Sequence, residues 1–113
     1  MGFRRNVIVA GFLIMSSFGF QANAKDVVLD VRTPKEYSAG HIPNALNVDL
    51  LNANFREKVS ELSRQDSYKV YCRSGNRSGQ AIAIMRELGF KDLTNLGSLE
   101  NAAKELKVKP VGE

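Results

Sequence analysis

The chain has 113 residues, one cysteine, one histidine, no tryptophan and a formal net charge of +4. That length excludes more than one ordinary domain. A single thiol excludes an internal disulfide framework, and one Cys with one His falls short of a metal-ligand set. Lys and Arg are scattered rather than striped, so there is no nucleic-acid footprint.

Arg4 and Arg5 form a positive start, residues 6–24 carry no charge, Val7 to Met15 is apolar, and Ala22-Asn23-Ala24 is a small-x-small site. These parts in this order predict a cleaved signal peptide over residues 1–24 and one domain over 25–113. The apolar run is short for a span and is diluted by Ser16, Ser17, Gln21 and Asn23, so no stable membrane anchor is expected. Cleavage would leave 89 residues, enough for one modest core, and would lower the net charge to +2 by removing Arg4 and Arg5.

Lys25 to Val31 reads as a first strand, its Val27-Val28-Leu29 run typical of a parallel strand covered on both faces. Thr33, Pro34 and Glu36 predict a capping box opening a short helix, with Gly40 expected as its left-handed C-cap. His41 to Ala45 reads as a turn and Leu46 to Val48 as a short strand. Asn54 is expected to cap a second helix burying Phe55, Val59 and Leu62. A polar loop over Arg64 to Ser67 leads to a strand from Tyr68 to Tyr71. A third helix follows the cysteine turn, with Ala81, Ile82, Ile84, Met85 and Leu88 as its apolar stripe. Gly89 ends that helix and Phe90 packs back over it. Leu93 to Leu96 is a last strand, Gly97-Ser98 a turn, Asn101 to Leu106 a weak helix, and Lys107 to Glu113 a frayed tail. Strands alternating with amphipathic helices predict an α/β domain with a small, mostly parallel sheet flanked by helices.

The chemistry points to Cys72-Arg73-Ser74-Gly75-Asn76-Arg77-Ser78-Gly79, where a strand passes into a helix. Ligands in such sheets sit at the carboxyl ends of strands. The thiolate is the reactive form, and an unperturbed cysteine is only about 3% ionised at pH 7. A helix start offers free N–H groups and partial positive charge, the glycines let amides turn inward, and Arg73 and Arg77 add full charge. A pKa lowered to about 6 would raise the thiolate fraction to about 90%. Cys72 is therefore the candidate nucleophile. The bland alternative, a buried structural thiol, suits a lone Cys in an apolar strand better than one at an arginine-bearing turn. His41 is read as structural, within its Gly-His-Ile-Pro turn. Asp30 and Arg32 are read as an ion pair bracing a strand end, and Glu36 as the capping partner of Thr33.

Cys72 to Ser78 resembles the active-site loop of the rhodanese-like sulfurtransferases. Asp30-Val31-Arg32, Glu36-Tyr37 and Gly40-His41-Ile42-Pro43-Asn44-Ala45 match further motifs of that family in order, so the resemblance runs from about Val27 to Gly97. Size and leader point to its small, single-domain exported members, and together with the resemblance they make the periplasm the expected location. The resemblance implies a ping-pong transfer of sulfur from thiosulfate, through a Cys72 persulfide, to a thiophilic acceptor such as cyanide or a thiol. No cofactor or metal is implied. The amides of Arg73, Ser74, Gly75, Asn76, Arg77 and Ser78 would hold the charge on sulfur, and the Arg73 and Arg77 side chains are candidates for binding thiosulfate. The family's phosphatase branch has five residues between Cys and the loop Arg; this chain has four, which favours sulfur over phosphate. The Gly-Gly and Trp often seen near the domain end are replaced by Gly97-Ser98 and no Trp. A non-catalytic sulfur carrier or binding module remains the alternative, a thiol-disulfide oxidoreductase lacks its resolving Cys, and a monomer or weak dimer is expected.

Overall fold

The structure, a computed structural model, describes residues 24–112; apart from Ala24, the expected signal peptide lies outside the described residues. Four strands, β1 (Asp26–Asp30), β2 (Leu46–Asn47), β3 (Ser67–Cys72) and β4 (Leu93–Ser98), alternate with four helices. The helices are α1 (Pro34–Ala39), α2 (Phe55–Ser60), α3 (Asn76–Glu87) and α4 (Leu99–Leu106). The strands form one sheet in the order β2-β1-β3-β4, and every pairing is parallel. No helix among the described residues is long and apolar enough to cross a membrane.

Successive strand residues point to opposite faces, so each apolar run feeds two cores. Leu29, Val70 and Cys72 share one cluster with Phe55 and Val59 of α2 and Ala81, Ile82 and Met85 of α3. Tyr71 and Leu96 lie in the other with Ile42, Ala45 and Ala102, backed by Tyr37 and Leu99. Each large aliphatic side chain so buried contributes about 1.5–3 kcal/mol. Covering both faces makes the central β1 and β3 read as near-continuous apolar runs.

Local signals act largely as expected. The Thr33 hydroxyl accepts from the Glu36 amide at 3.2 Å, and the Glu36 carboxylate accepts from the Thr33 amide at 3.0 Å, completing the capping box. The Phe90 amide donates to the Met85 carbonyl and its ring is buried against Tyr68. Four local readings need correction. Gly40 has φ 168°, which is extended backbone and not a left-handed cap; its carbonyl instead accepts from Arg32 Nη2 at 2.7 Å. The Asn54 side chain makes no cap bond, and the Asn52 side chain accepts from the Asn54 amide instead. The tail is tethered: Val111 and His41 exchange both backbone hydrogen bonds at 2.8 Å. The last helix also begins earlier, capped by the Ser98 hydroxyl, with Leu99 and Ala102 turned inward.

One buried polar knot fixes the strand ends beneath the site. Asp30 and Arg32 form an ion pair at 2.7 Å, with side chains 0% and 7% exposed. Asp30 also accepts from the Arg32 amide at 2.9 Å and from the Tyr71 hydroxyl at 2.7 Å. Tyr71 in turn accepts from the Ile42 amide at 3.0 Å. Burial pushes the Tyr71 phenol far above its ordinary value, which keeps it a donor to Asp30. A buried ion pair is stable only when its remaining hydrogen-bonding groups are matched, and here they are. Tyr71→Phe leaves the Ile42 amide and one Asp30 oxygen without this partner. The expected loss is about 1–3 kcal/mol, read in urea as a lower midpoint at unchanged slope. An unchanged midpoint would remove the knot from the account of stability.

Candidate active site

Cys72 is the last residue of β3, and α3 starts four residues later at Asn76. Gly75, with φ 101°, makes the bend between them, in a region closed to most side chains. A Cβ placed there would also stand 3.4 Å from the Gly97 Cα, and Gly97 itself has φ 81°. Gly75 therefore packs closely against the end of β4, whereas a Cβ on Gly97 would meet the Asn101 side chain at 3.7 Å.

Cys72 is fully buried, as the bland reading of a lone thiol expects. Its partners are not those of an inert one. The Gly75 amide donates to Sγ at 2.9 Å, and the Ser78 hydroxyl stands 3.4 Å away. Burial pushes the thiol up. Hydrogen bonds from the Ser78 hydroxyl and from the amides of Ser78, Gly75 and Ser74 outweigh it and bring the thiol below its ordinary value. The arrangement is a nest of amides at a helix start, which stabilises negative charge on sulfur.

The side chains of the loop divide. Arg77 is spent on Glu36, pairing both guanidinium nitrogens with both carboxylate oxygens at 2.8 and 2.9 Å. This bidentate pair joins the start of α3 to the start of α1, so Glu36 serves the capping box and Arg77 together. The Asn76 side chain accepts from Gln80 along the helix at 2.8 Å. The Arg73 guanidinium has no hydrogen-bond or ion-pair partner among the described residues. It lines an open cleft of about 200 Å³ with Arg32, Glu36, Ala39, Leu99 and Glu100. Asp30 and Arg32 make the expected ion pair. His41 contacts the Tyr37 carbonyl through Nδ1 at 2.8 Å and stacks on the Tyr37 ring, making no bond to Cys72. Among the described residues no group of three or more His, Cys, Asp or Glu could hold a metal.

Sequence reasoning missed Asn95. The β3–β4 ladder slips by one residue between the pairs Val70–Asn95 and Tyr71–Gly97, a β-bulge that aims Asn95 at the cysteine loop. Its side chain meets the Ser78 hydroxyl at 2.7 Å and the Gly75 carbonyl at 3.2 Å. The available signal was a polar residue at the carboxyl end of the strand after the cysteine helix.

The Arg77 pairing, against the opposing effect of burial, lowers the Glu36 carboxyl from 4.5 to about 2, with Thr33 assisting. A carboxylate whose folded value is depressed contributes stability above its unfolded value and loses it as pH falls through the folded one. Glu36→Gln keeps a capping side chain but no charge. At neutral pH it is expected to cost about 1 kcal/mol. The gap to the unaltered protein should close between pH 4.5 and about 2; urea midpoints across that range check it, and a gap indifferent to pH would refute it.

The sequence profile of the Rhodanese-like domain matches residues 20–105. Thiosulfate sulfurtransferase PspE of Escherichia coli (strain K12) is 34% identical over 86 residues, covering 76% of this chain and 83% of that protein. A sulfurtransferase of Allochromatium vinosum is 40% identical over 76 residues, covering 66% of this chain and 69% of the other. Among solved structures, a rhodanese with anions from Escherichia coli superposes with a TM-score of 0.65 at 32% identity, covering 78% of this chain and 99% of that one. Sequence profile, relatives and backbone agree, and the chain belongs to the rhodanese-like sulfurtransferase family.

Proposed function

We propose that the protein is a thiosulfate sulfurtransferase working through Cys72. The reading is carried by one observation: Sγ is held by inward-facing amides, with the Gly75 N–H at 2.9 Å, in a loop with no second thiol. Those amides favour the thiolate over the thiol, and the thiolate is the form that attacks. It takes the outer sulfur of thiosulfate. The new S–S bond forms as the old one breaks, sulfite leaves with the bonding pair, and Cys72 is left as an anionic persulfide in the same nest. A thiophile then attacks the outer persulfide sulfur and carries it off, as thiocyanate when the thiophile is cyanide, and Cys72 returns as thiolate. Arg73, unpaired at the edge of the cleft, is assigned to the sulfonate of thiosulfate. The Arg77–Glu36 pair is assigned to holding the helix start in place. We place this chemistry in the periplasm, on the leader pattern of residues 1–24 taken together with the family resemblance.

Intact mass of the protein before and after thiosulfate tests the first half-reaction. The expected result is a gain of one sulfur atom, reversed by cyanide and absent in Cys72→Ser. Turnover then separates an enzyme from a carrier: thiocyanate should form over many cycles and fall by at least about a hundredfold in Cys72→Ser. No sulfur gain in a folded protein with a free thiol would overturn the reading. A single equivalent transferred without turnover would replace it with a sulfur carrier.

A further inference from the structure

The hydroxyl of Ser78 has one proton and three acceptors within reach. These are Cys72 Sγ at 3.4 Å, the Gly75 carbonyl at 3.1 Å and Asn95 Oδ1 at 2.7 Å. The Gly75 carbonyl is already served, by the Gly79 amide at 3.1 Å and by Asn95 Nδ2 at 3.2 Å. The contest is therefore between sulfur and Asn95. The Asn95 amide cannot evade it by turning over, because its two ends are held differently. Oδ1 accepts from the Gly97 amide at 2.9 Å, and Nδ2 donates to the Gly75 carbonyl. A flip would set Oδ1 against one carbonyl and Nδ2 against one N–H. The acceptor end of Asn95 is thus fixed toward Ser78.

We propose that Asn95 is a positioning residue for Cys72: it draws the Ser78 proton to itself, limits what Ser78 donates to sulfur, and so keeps the thiolate basic and nucleophilic. Hydrogen bonding to a charged form lowers a pKa, and a thiolate of lower pKa is the weaker nucleophile. The amides favour charge on the sulfur, and Asn95 stops the nest from quieting it further. The inference rests on Cys72 as the reacting group and not on thiosulfate as donor. The charged groups around the sulfur come from several elements. Arg77 of α3 interacts with the Cys72 charge and is paired with Glu36 of α1; Asp49, after β2, lies in the field of Arg77. Arg73 adjoins Cys72, and Asp30 with Arg32 closes β1 as a matched pair. None of these side chains hydrogen-bonds Asn95, so replacing Asn95 leaves their pairing in place.

The test is the ultraviolet absorbance of the thiolate against pH, blanked with Cys72→Ser, which is clean because the chain has one cysteine. In Asn95→Ala the Ser78 proton loses its nearest acceptor and is shared between sulfur and the Gly75 carbonyl, which the Gly79 amide still serves. The midpoint should fall by roughly half a unit, raising the thiolate fraction below it about threefold. The rate of attack by the fully ionised thiolate on a small disulfide should fall at the same time. In a Ser78→Ala background the Asn95→Ala effect should vanish. A merely structural role predicts the opposite, a loosened loop and a midpoint that rises. An unchanged or raised midpoint in Asn95→Ala, or a fall that persists without Ser78, overturns the proposal. Asn95→Thr, too short to reach Ser78 but suited to an edge strand, gives the same reading should the alanine variant not fold.

Discussion

A carboxylate with no access to water must be answered by protein groups on every side, and Asp30 sets that demand at the centre of this fold. The answer comes from Arg32 two residues on, and from Tyr71 across the β1–β3 ladder. The partners' remaining capacity then reaches the Gly40 carbonyl at the end of α1 and the Ile42 amide in the turn beyond. Meeting one buried charge thus fixes two strand ends, one helix end and one turn. Tyr71 is the residue before Cys72, so what holds the phenol in one core holds the thiol on the opposite face of the sheet.

The sulfur of Cys72 is surrounded differently. The loop holds two arginines, yet the contacts to sulfur are made by amides and one hydroxyl. Arg77 acts from a distance with its charge largely answered by Glu36, and Arg73 faces the cleft. This division has a physical logic. Amides fixed by the backbone stabilise charge on the sulfur and need no reorganisation, and they leave the Arg73 guanidinium to the cleft.

What was legible in the sequence was what local patterns encode. The capping box at Thr33 to Glu36, the strand running into Cys72 and the apolar stripe of α3 each depend on neighbours within a few residues, and each formed. What was not legible depended on distant partners. Glu36 and Arg77 are 41 residues apart, and the capping pattern already explained Glu36, so its second role left no trace. Asn95 owes its place to a bulge that no local rule specifies. Gly40 and the Val111 tether failed for the same reason: a glycine after a helix is read as a cap and residues past the last helix as loose, unless something elsewhere in the fold recruits them.

The glycines at 75 and 97 bear on how such a chain can change over generations. Each occupies a backbone region that a side chain enters only with strain. A side chain at 75 would also press on the Cα of Gly97 at 3.4 Å, whereas one at 97 would meet the side chain of Asn101 and not the cysteine loop. The constraint runs one way: the end of β4 limits what the cysteine turn can carry at 75, although 22 residues separate the two positions and only Gly75 lies in the recognisable loop. The inherited unit of this site accordingly includes the strand end against which the loop rests.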